Sequence, residues 1–190
     1  MRNLVCLVSI LIFLCACEKS DENSINTKFN HHILKGYDVT SIAFDNHGNA
    51  WIGTYNKPEL IKYNINSNEM VIYNSSNSII NDSMFISDIA IDKKDNIWIG
   101  CNGLIKFDGI HFTKYTSKNT EIPVDYVHSI TFDSKDNIWF SSSSHREGGL
   151  VKYDGANWTV FTPDNSELPV NGVMSIAIDK KDNIWLAQYT

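Results

Sequence analysis

Three observations predict an all-β fold of four-stranded propeller blades for this chain. Trp51, Trp98, Trp139 and Trp185 are separated by 47, 41 and 46 residues, and each lies six positions after an aspartate: Asp45, Asp92, Asp133 or Asp179. The words around them repeat, as DNHGNAWIG, DKKDNIWIG, DSKDNIWFS and DKKDNIWLA. Between these words apolar and small residues alternate with the period of a strand, and no stretch beyond the first residues has a helical period. Four strands and one tryptophan in a unit of 41 to 47 residues fall in the range of propeller blades. A β-sandwich would account for the strands but not for the period.

The elements follow in order within each unit. The first strand reads SIAFD, DIAID, SITFD or SIAID, with large and small residues on alternate faces. Its closing aspartate can accept hydrogen bonds from backbone amides two residues on, and Gly48 or the Asp-Asn pairs tolerate a left-handed turn. A tight hairpin therefore leads into the second strand, which carries the tryptophan. A calcium loop is the sharper reading of DKKDN, but Lys93 and Lys94 repel a cation and no downstream glutamate closes a cage. No metal and no cofactor are expected. The third strand is LIKYN, LIKFD or LVKYD, and the fourth is MVIY, FTKY or WTVF, rich in β-branched and aromatic residues.

These units place blades near 38–74, 85–116 and 126–162, with a partial blade at 172–190 that stops after its tryptophan strand. About three and a half blades make an incomplete ring, as expected of the N-terminal part of a longer protein. The segment KFNHHILKG from Lys28 is expected to supply an outermost strand to the last blade. Blades stack face to face, so Ile89 and Ile91 are expected to pack on the small Ser129 and Thr131 of a neighbour. The tryptophans are then packing between blades rather than a platform for sugars.

The first residues are an address. Arg2 precedes an apolar run from Leu4 to Leu14 that is too short to span a bilayer, and small residues follow before Cys17. The order Leu14, Cys15, Ala16, Cys17 resembles a bacterial lipobox, which implies a signal peptide at 1–16 and lipid on the Cys17 thiol. EKSDEN lies in a polar tether at 17–27, ahead of the propeller repeats at 28–190, and resembles the acidic signals that export some Gram-negative lipoproteins to the cell surface. The expected location is the cell envelope, at the outer membrane and surface-exposed, with the lipid as the membrane partner. Without Cys6 and Cys15, only Cys17 and Cys101 remain, so no disulfide framework is expected and Cys101 reads as a small buried hydrophobe. A net charge of -6 offers no basic surface to phosphate backbones, which argues against nucleic acid.

DNIWIGCNGLIKFDG, DNIWFSSSSHREGGLVKYDG and NSELPVNGVMSIAID resemble the two-component regulator propeller repeat, over roughly residues 38–190. That repeat is found in extracellular sensor regions of bacterial hybrid histidine kinases and in stand-alone secreted proteins. The resemblance implies propeller blades, and sensor members respond to glycan breakdown products.

Loop lengths point to a binding face. In an up-and-down blade, the connections from strand one to two and from three to four share one end, and those from two to three and between blades share the other. The first set is short, such as NHG, KKD and DG. The second is long and varied: YNKPE, SSSHREGG, SSNSIINDSM, SKNTEIPVDY and PDNSELPVNG. Varied loops on a repeated scaffold are where binding is built. That end is expected to hold Tyr55, Lys57, Asn102, Tyr126, His128, His145, Arg146 and Glu147 as ligand-binding candidates for a carbohydrate or a protein. No catalytic motif is present, and the histidines, His31 and His32 included, do not recur at equivalent positions. The expectation is a non-catalytic binding or sensing propeller. The alternatives are a structural protein-interaction scaffold and a lyase or hydrolase using His145, Arg146 and Glu147.

Overall fold

A computed structural model describes residues 34–144 and 147–188. The expected signal peptide, Cys17, the tether, residues 28–33 of the latch strand, His31, His32, His145 and Arg146 lie outside the described residues. The chain divides into residues 1–37 and 38–190. Of the first unit, residues 34–36 form a turn closed by the Tyr37 amide on the Leu34 carbonyl, at 3.3 Å.

The second unit holds the strands. One sheet comprises β1 (Val39–Phe44), β2 (Asn49–Thr54), β3 (Leu60–Asn64) and β4 (Met70–Tyr73). The next comprises β5 (Asp88–Ile91), β6 (Ile97–Cys101), β7 (Gly103–Phe107) and β8 (Phe112–Tyr115). The third comprises β9 (Val127–Phe132), β10 (Ile138–Ser143), β11 (Gly148–Tyr153) and β12 (Trp158–Phe161), and β13 (Val173–Ile178) pairs with β14 (Ile184–Gln188) alone. Each sheet is an antiparallel meander in chain order. The described residues thus form three complete blades and a two-stranded one, contain no helix and do not close a ring. The all-β blade architecture expected from the repeat is the one found.

Blades need both faces covered, and the second strands show it: every residue of β2, β6 and β10 is buried. The core is three clusters, one at each seam between successive sheets. At the first seam, Trp51 and Leu60 of the first sheet meet Ile89, Ile97, Ile105 and Phe107 of the second. The fit is close. A Cβ added at Gly53 would stand 2.4 Å from the Cγ2 of Ile86, so only glycine admits the neighbour there.

The seam corrects one expectation. Ile89 and Ile91 do pack on small residues, but on those of the preceding sheet, alongside Ala43 and against Gly53. Ser129 and Thr131 instead turn towards the last sheet, where the Ser129 hydroxyl accepts the Ile176 amide at 3.2 Å. Alternation along a strand separates two faces but does not say which neighbour each face meets.

A second correction concerns SSSHREGG. Of that loop, Ser142 and Ser143 belong to β10 with Ser141, and Gly148 and Gly149 to β11, so the connection shrinks to residues 144–147. The serines stay in the strand because their hydroxyls satisfy backbone groups beside a bulge between Phe140 and Ser142. Ser141 accepts the His128 and Ser129 amides, both at 3.1 Å, and Ser143 donates to the Val173 carbonyl at 2.9 Å.

Candidate ligand-binding face

The two ends of the sheets differ in what their polar groups are doing. At the end of the short turns, each repeat aspartate is fully engaged. Asp92 Oδ1 accepts the Lys94 and Asn96 amides, both at 2.9 Å, while Oδ2 accepts the Asn96 side-chain amide at 2.7 Å and the Trp98 indole N–H at 3.0 Å. Asp45 and Asp133 hold Trp51 and Trp139 in the same way, at 2.9 and 3.0 Å. The six-residue spacing therefore has a cause: hairpin register brings the indole nitrogen back over the carboxylate that shaped the turn. Burial disfavours ionisation of Asp92, but the bonds from Trp98, Asn96 and Lys94 outweigh it and hold its pKa below the ordinary value. Asp45 and Asp133 shift the same way for the same reasons.

Three of the turns carry a second aspartate, in the Asp-Asn pairs expected to tolerate a left-handed turn, and its reach across the seam is what the sequence pattern did not show. Asp95, Asp136 and Asp182 have left-handed φ of 61°, 67° and 60°, where Gly48 stands in the first sheet. Each carboxylate reaches the turn of the preceding sheet. Asp95 accepts from the Asn46 side chain at 3.0 Å, Asp136 from the Lys93 amide at 3.3 Å and Asp182 from the Ser134 amide at 2.8 Å. Loop residues that resemble cation ligands are here the staples of a seam.

A further staple runs along the first strands. Ser41 accepts the Ile89 amide at 2.9 Å, Asp88 accepts the Ile130 amide at 2.8 Å and Ser129 accepts the Ile176 amide. Asp88 is the carboxylate at a position where the other repeats carry serine. Burial raises its pKa, against the opposing bonds from Ile130, Ser41 and Ile89. Aligning the repeats on their turn aspartates would have flagged it, since Ser41, Asp88, Ser129 and Ser175 then fall in one column.

The other end is more open. Tyr55 and Tyr126 are each 58% exposed. The Tyr55 ring meets Phe85 edge-on at 5.1 Å, joining the loop after β2 to the connection leading into β5. Asn102 alone connects β6 to β7. Its side-chain amide donates to the Ser83 carbonyl at 3.1 Å, and its backbone bridges to Tyr126. Asn102 thus ties the connections on either side of the second sheet. His128 is a half-buried residue of β9 rather than a loop residue, with Nε2 3.1 Å from the Ser143 carbonyl. Lys57 is exposed, with its carbonyl accepting the Thr54 hydroxyl. Glu147 is exposed, with its carbonyl accepting the Ser144 amide at 2.9 Å. The structure thus links Tyr55 with Phe85, Asn102 with Tyr126 and His128 with Ser143 along the same ends of adjacent strands. Phe85 was missed because it lies between elements and outside the repeated words.

These groups can stack on an apolar ring face and exchange hydrogen bonds with polar substituents. Cys101 contributes no nucleophile: it is buried, and desolvation pushes its thiol up to about 11. Among the described residues no group of three or more His, Cys, Asp or Glu is arranged to hold a metal ion. The described residues contain no helix long and apolar enough to cross a membrane.

Comparison with known proteins agrees with this architecture. The sequence profile described as "two component regulator propeller" matches residues 33–56 and 79–103. The extracellular domain of a B. thetaiotaomicron protein assigned as a one-component system superposes with a TM-score of 0.62 at 19% identity, over 80% of this chain and 22% of that one. The extracellular domain of a hybrid two-component system of the same organism gives 0.63 at 24% identity, over 79% and 20%. Virginiamycin B lyase from Staphylococcus aureus, a catalytically inactive form with quinupristin, gives 0.63 at 13% identity, over 82% and 51%. The chain therefore spans between a fifth and about half of the solved proteins it matches. No curated protein sequence matches it. The fold is that of a β-propeller, and residues 33–56 and 79–103 are similar to the two-component regulator propeller repeat.

Proposed function

We propose that this propeller binds an extracellular ligand at the end that carries Tyr55, Phe85, Asn102, Tyr126 and His128, without catalysing its turnover. The observation that carries the reading is the contrast between the ends. One is closed by turns whose repeat carboxylates are engaged in turn and seam bonds, whereas the other presents two tyrosines with most of their surface free. Exposed aromatic rings beside amide and imidazole groups suit a ligand with apolar faces and polar rims, and a glycan fragment is such a ligand. The extracellular sensor domains among the structural neighbours support a site outside the cytoplasm. Lipid on Cys17, holding the protein at the outer membrane and its surface, completes the reading from the order Leu14, Cys15, Ala16, Cys17.

The experiment is a titration of the lipid-free protein against a panel of oligosaccharides by calorimetry, with the Tyr55→Ala/Tyr126→Ala double variant beside it. Saturable binding that the double variant loses, with its melting temperature unchanged, is the expected result. Absence of binding to every glycan would overturn the glycan reading and favour an interaction scaffold for protein partners. Conversion of a bound compound into product would favour a lyase or hydrolase.

A further inference from the structure

Given ligand binding at the open end, as proposed above, we infer that the site consists of two equivalent subsites, one at each of the first two seams, spanned by a single uncharged chain of sugar units. The positions that build it recur at fixed distances from the turn aspartates. Ten residues after Asp45, Asp92 and Asp133 stand Tyr55, Asn102 and Ser143, and seven residues before Asp92, Asp133 and Asp179 stand Phe85, Tyr126 and Gly172. The fold brings the first column of one sheet against the second column of the next. Tyr55 thus meets Phe85 edge-on at 5.1 Å across the first seam, and the Asn102 backbone bridges to Tyr126 across the second. Phe85 is 40% exposed and Tyr126 58%, so each of these seams ends in an aromatic ring open to solvent. At the third seam the same columns hold Ser143, whose hydroxyl donates to the Val173 carbonyl at 2.9 Å, and the buried Gly172. No ring is offered there, and the site stops.

Packed sheets stand about 10 Å apart, so the rings of the two seams lie farther apart than one pyranose ring can cover, and a ligand that uses both is an oligomer. Joining two weak contacts in one molecule raises affinity well beyond either alone. The charged groups around the subsites choose the kind of oligomer. Asp38, at the second-column position of the first sheet, is exposed, and its carbonyl accepts the Tyr55 amide at 2.8 Å. Asp82 is exposed beside Ser83, whose carbonyl takes the Asn102 side chain. Asp125 immediately precedes Tyr126 and is half-buried, with Oδ1 accepting the Ser117 amide at 2.6 Å. With Glu59 and Glu121, five carboxylates stand in the connections of these two seams against Lys57 and Lys118. A uronate or sulfate group would meet like charge at either subsite. Neutral sugar hydroxyls can instead donate hydrogen bonds to the same carboxylates.

The test titrates the full chain by calorimetry with ladders of one to six units of β-linked glucose, mannose and xylose, and with oligogalacturonates of matching length. A neutral ladder whose affinity climbs about tenfold or more between two and four units and then levels off is expected. The oligogalacturonates should bind at least about tenfold more weakly at low salt, a gap that narrows as salt is added. Tyr126→Ala should remove the length dependence and leave the shortest ligand bound as before, with the melting temperature unchanged. The Asp38→Asn/Asp125→Asn double variant should bring the anionic ladder closer to the neutral one. Affinity that does not rise with length, a Tyr126→Ala loss that is equal at every length, or oligogalacturonates bound as tightly as the neutral ladders would each overturn the paired subsites while leaving ligand binding at this end intact. Absence of binding in every ladder would overturn both the paired subsites and the glycan reading on which they rest.

Discussion

Trp98 and Trp185 occupy the same place in the repeat and end in opposite surroundings. Trp98 is 5% exposed among Ile130, Phe140 and Val151 of the next sheet, whereas Trp185 is 64% exposed. Its bond to the turn aspartate is longer as well, 3.4 Å against 3.0 Å. The hairpin alone therefore delivers the indole to its carboxylate, and the following sheet then fixes it. Local sequence makes the turn; the seam supplies the burial.

The largest test of that division is at the covered tryptophan. Trp98→Ala should cost about 3–5 kcal/mol of unfolding free energy, measured by urea denaturation, while Trp185→Ala should stay within about 0.5 kcal/mol. Equal losses would mean that the two positions do the same work and that the seam is not what distinguishes them.

Next in size is the turn. Asp92→Ala removes the acceptor of four hydrogen bonds and should cost about 2 kcal/mol, whereas Asp179→Ala, at the uncovered sheet, should cost less. The same carboxylates set a pH dependence. Asp45, Asp92 and Asp133 have folded pKa values below their unfolded ones, and Asp179 is lowered to about 2 by bonds from Asn183, Lys181 and Trp185. Their contribution is complete above the unfolded value of about 3.9 and is lost as the pH falls through the folded values. Melting temperature should therefore drop steeply below about pH 4, and less steeply in Asp92→Ala.

Asp88 should behave with the opposite sign. Its folded pKa is raised, so the stability it contributes is present below the unfolded value and declines as the pH rises past the folded one. Asp88→Ser installs the acceptor used at Ser41 and Ser129 and should lie within about 1 kcal/mol of the parent at pH 7. It should also lose the decline in stability above about pH 4. The smallest effect on the fold is at the anchor. Cys17→Ser should abolish metabolic labelling with palmitate and leave the melting temperature of the propeller unchanged.

The period, the four-strand unit and the turn aspartates were legible because each is written within one repeat. Seams were not. That Ile89 looks back at Gly53 rather than forward at Ser129 depends on the sense in which sheets follow one another around the stack, which alternation does not encode. Serine favours turns, so Ser142 and Ser143 read as loop; that their hydroxyls satisfy backbone groups beside a bulge, and leave them 0% and 2% exposed, is a tertiary fact. The candidate face was legible as a set of loops, and Tyr55, Asn102 and Tyr126 lie there. Its internal ties, to Phe85 and to the Ser83 carbonyl, join residues with no mark in the repeat.

The staple from one turn to the next has a bearing on how such a chain can change in length. Donor and acceptor fall at fixed columns, with Lys93 and Ser134 giving amides to Asp136 and Asp182, so a seam does not distinguish which neighbour it joins. Recombination that duplicates or deletes one repeat of 41 to 47 residues in register would join the same donor column to the same acceptor column at the turn. The exception is Gly48, which has no carboxylate to offer. Copies of the second and third units can be spliced after any sheet with the turn bond intact, whereas a copy of the first can follow another only by giving that bond up.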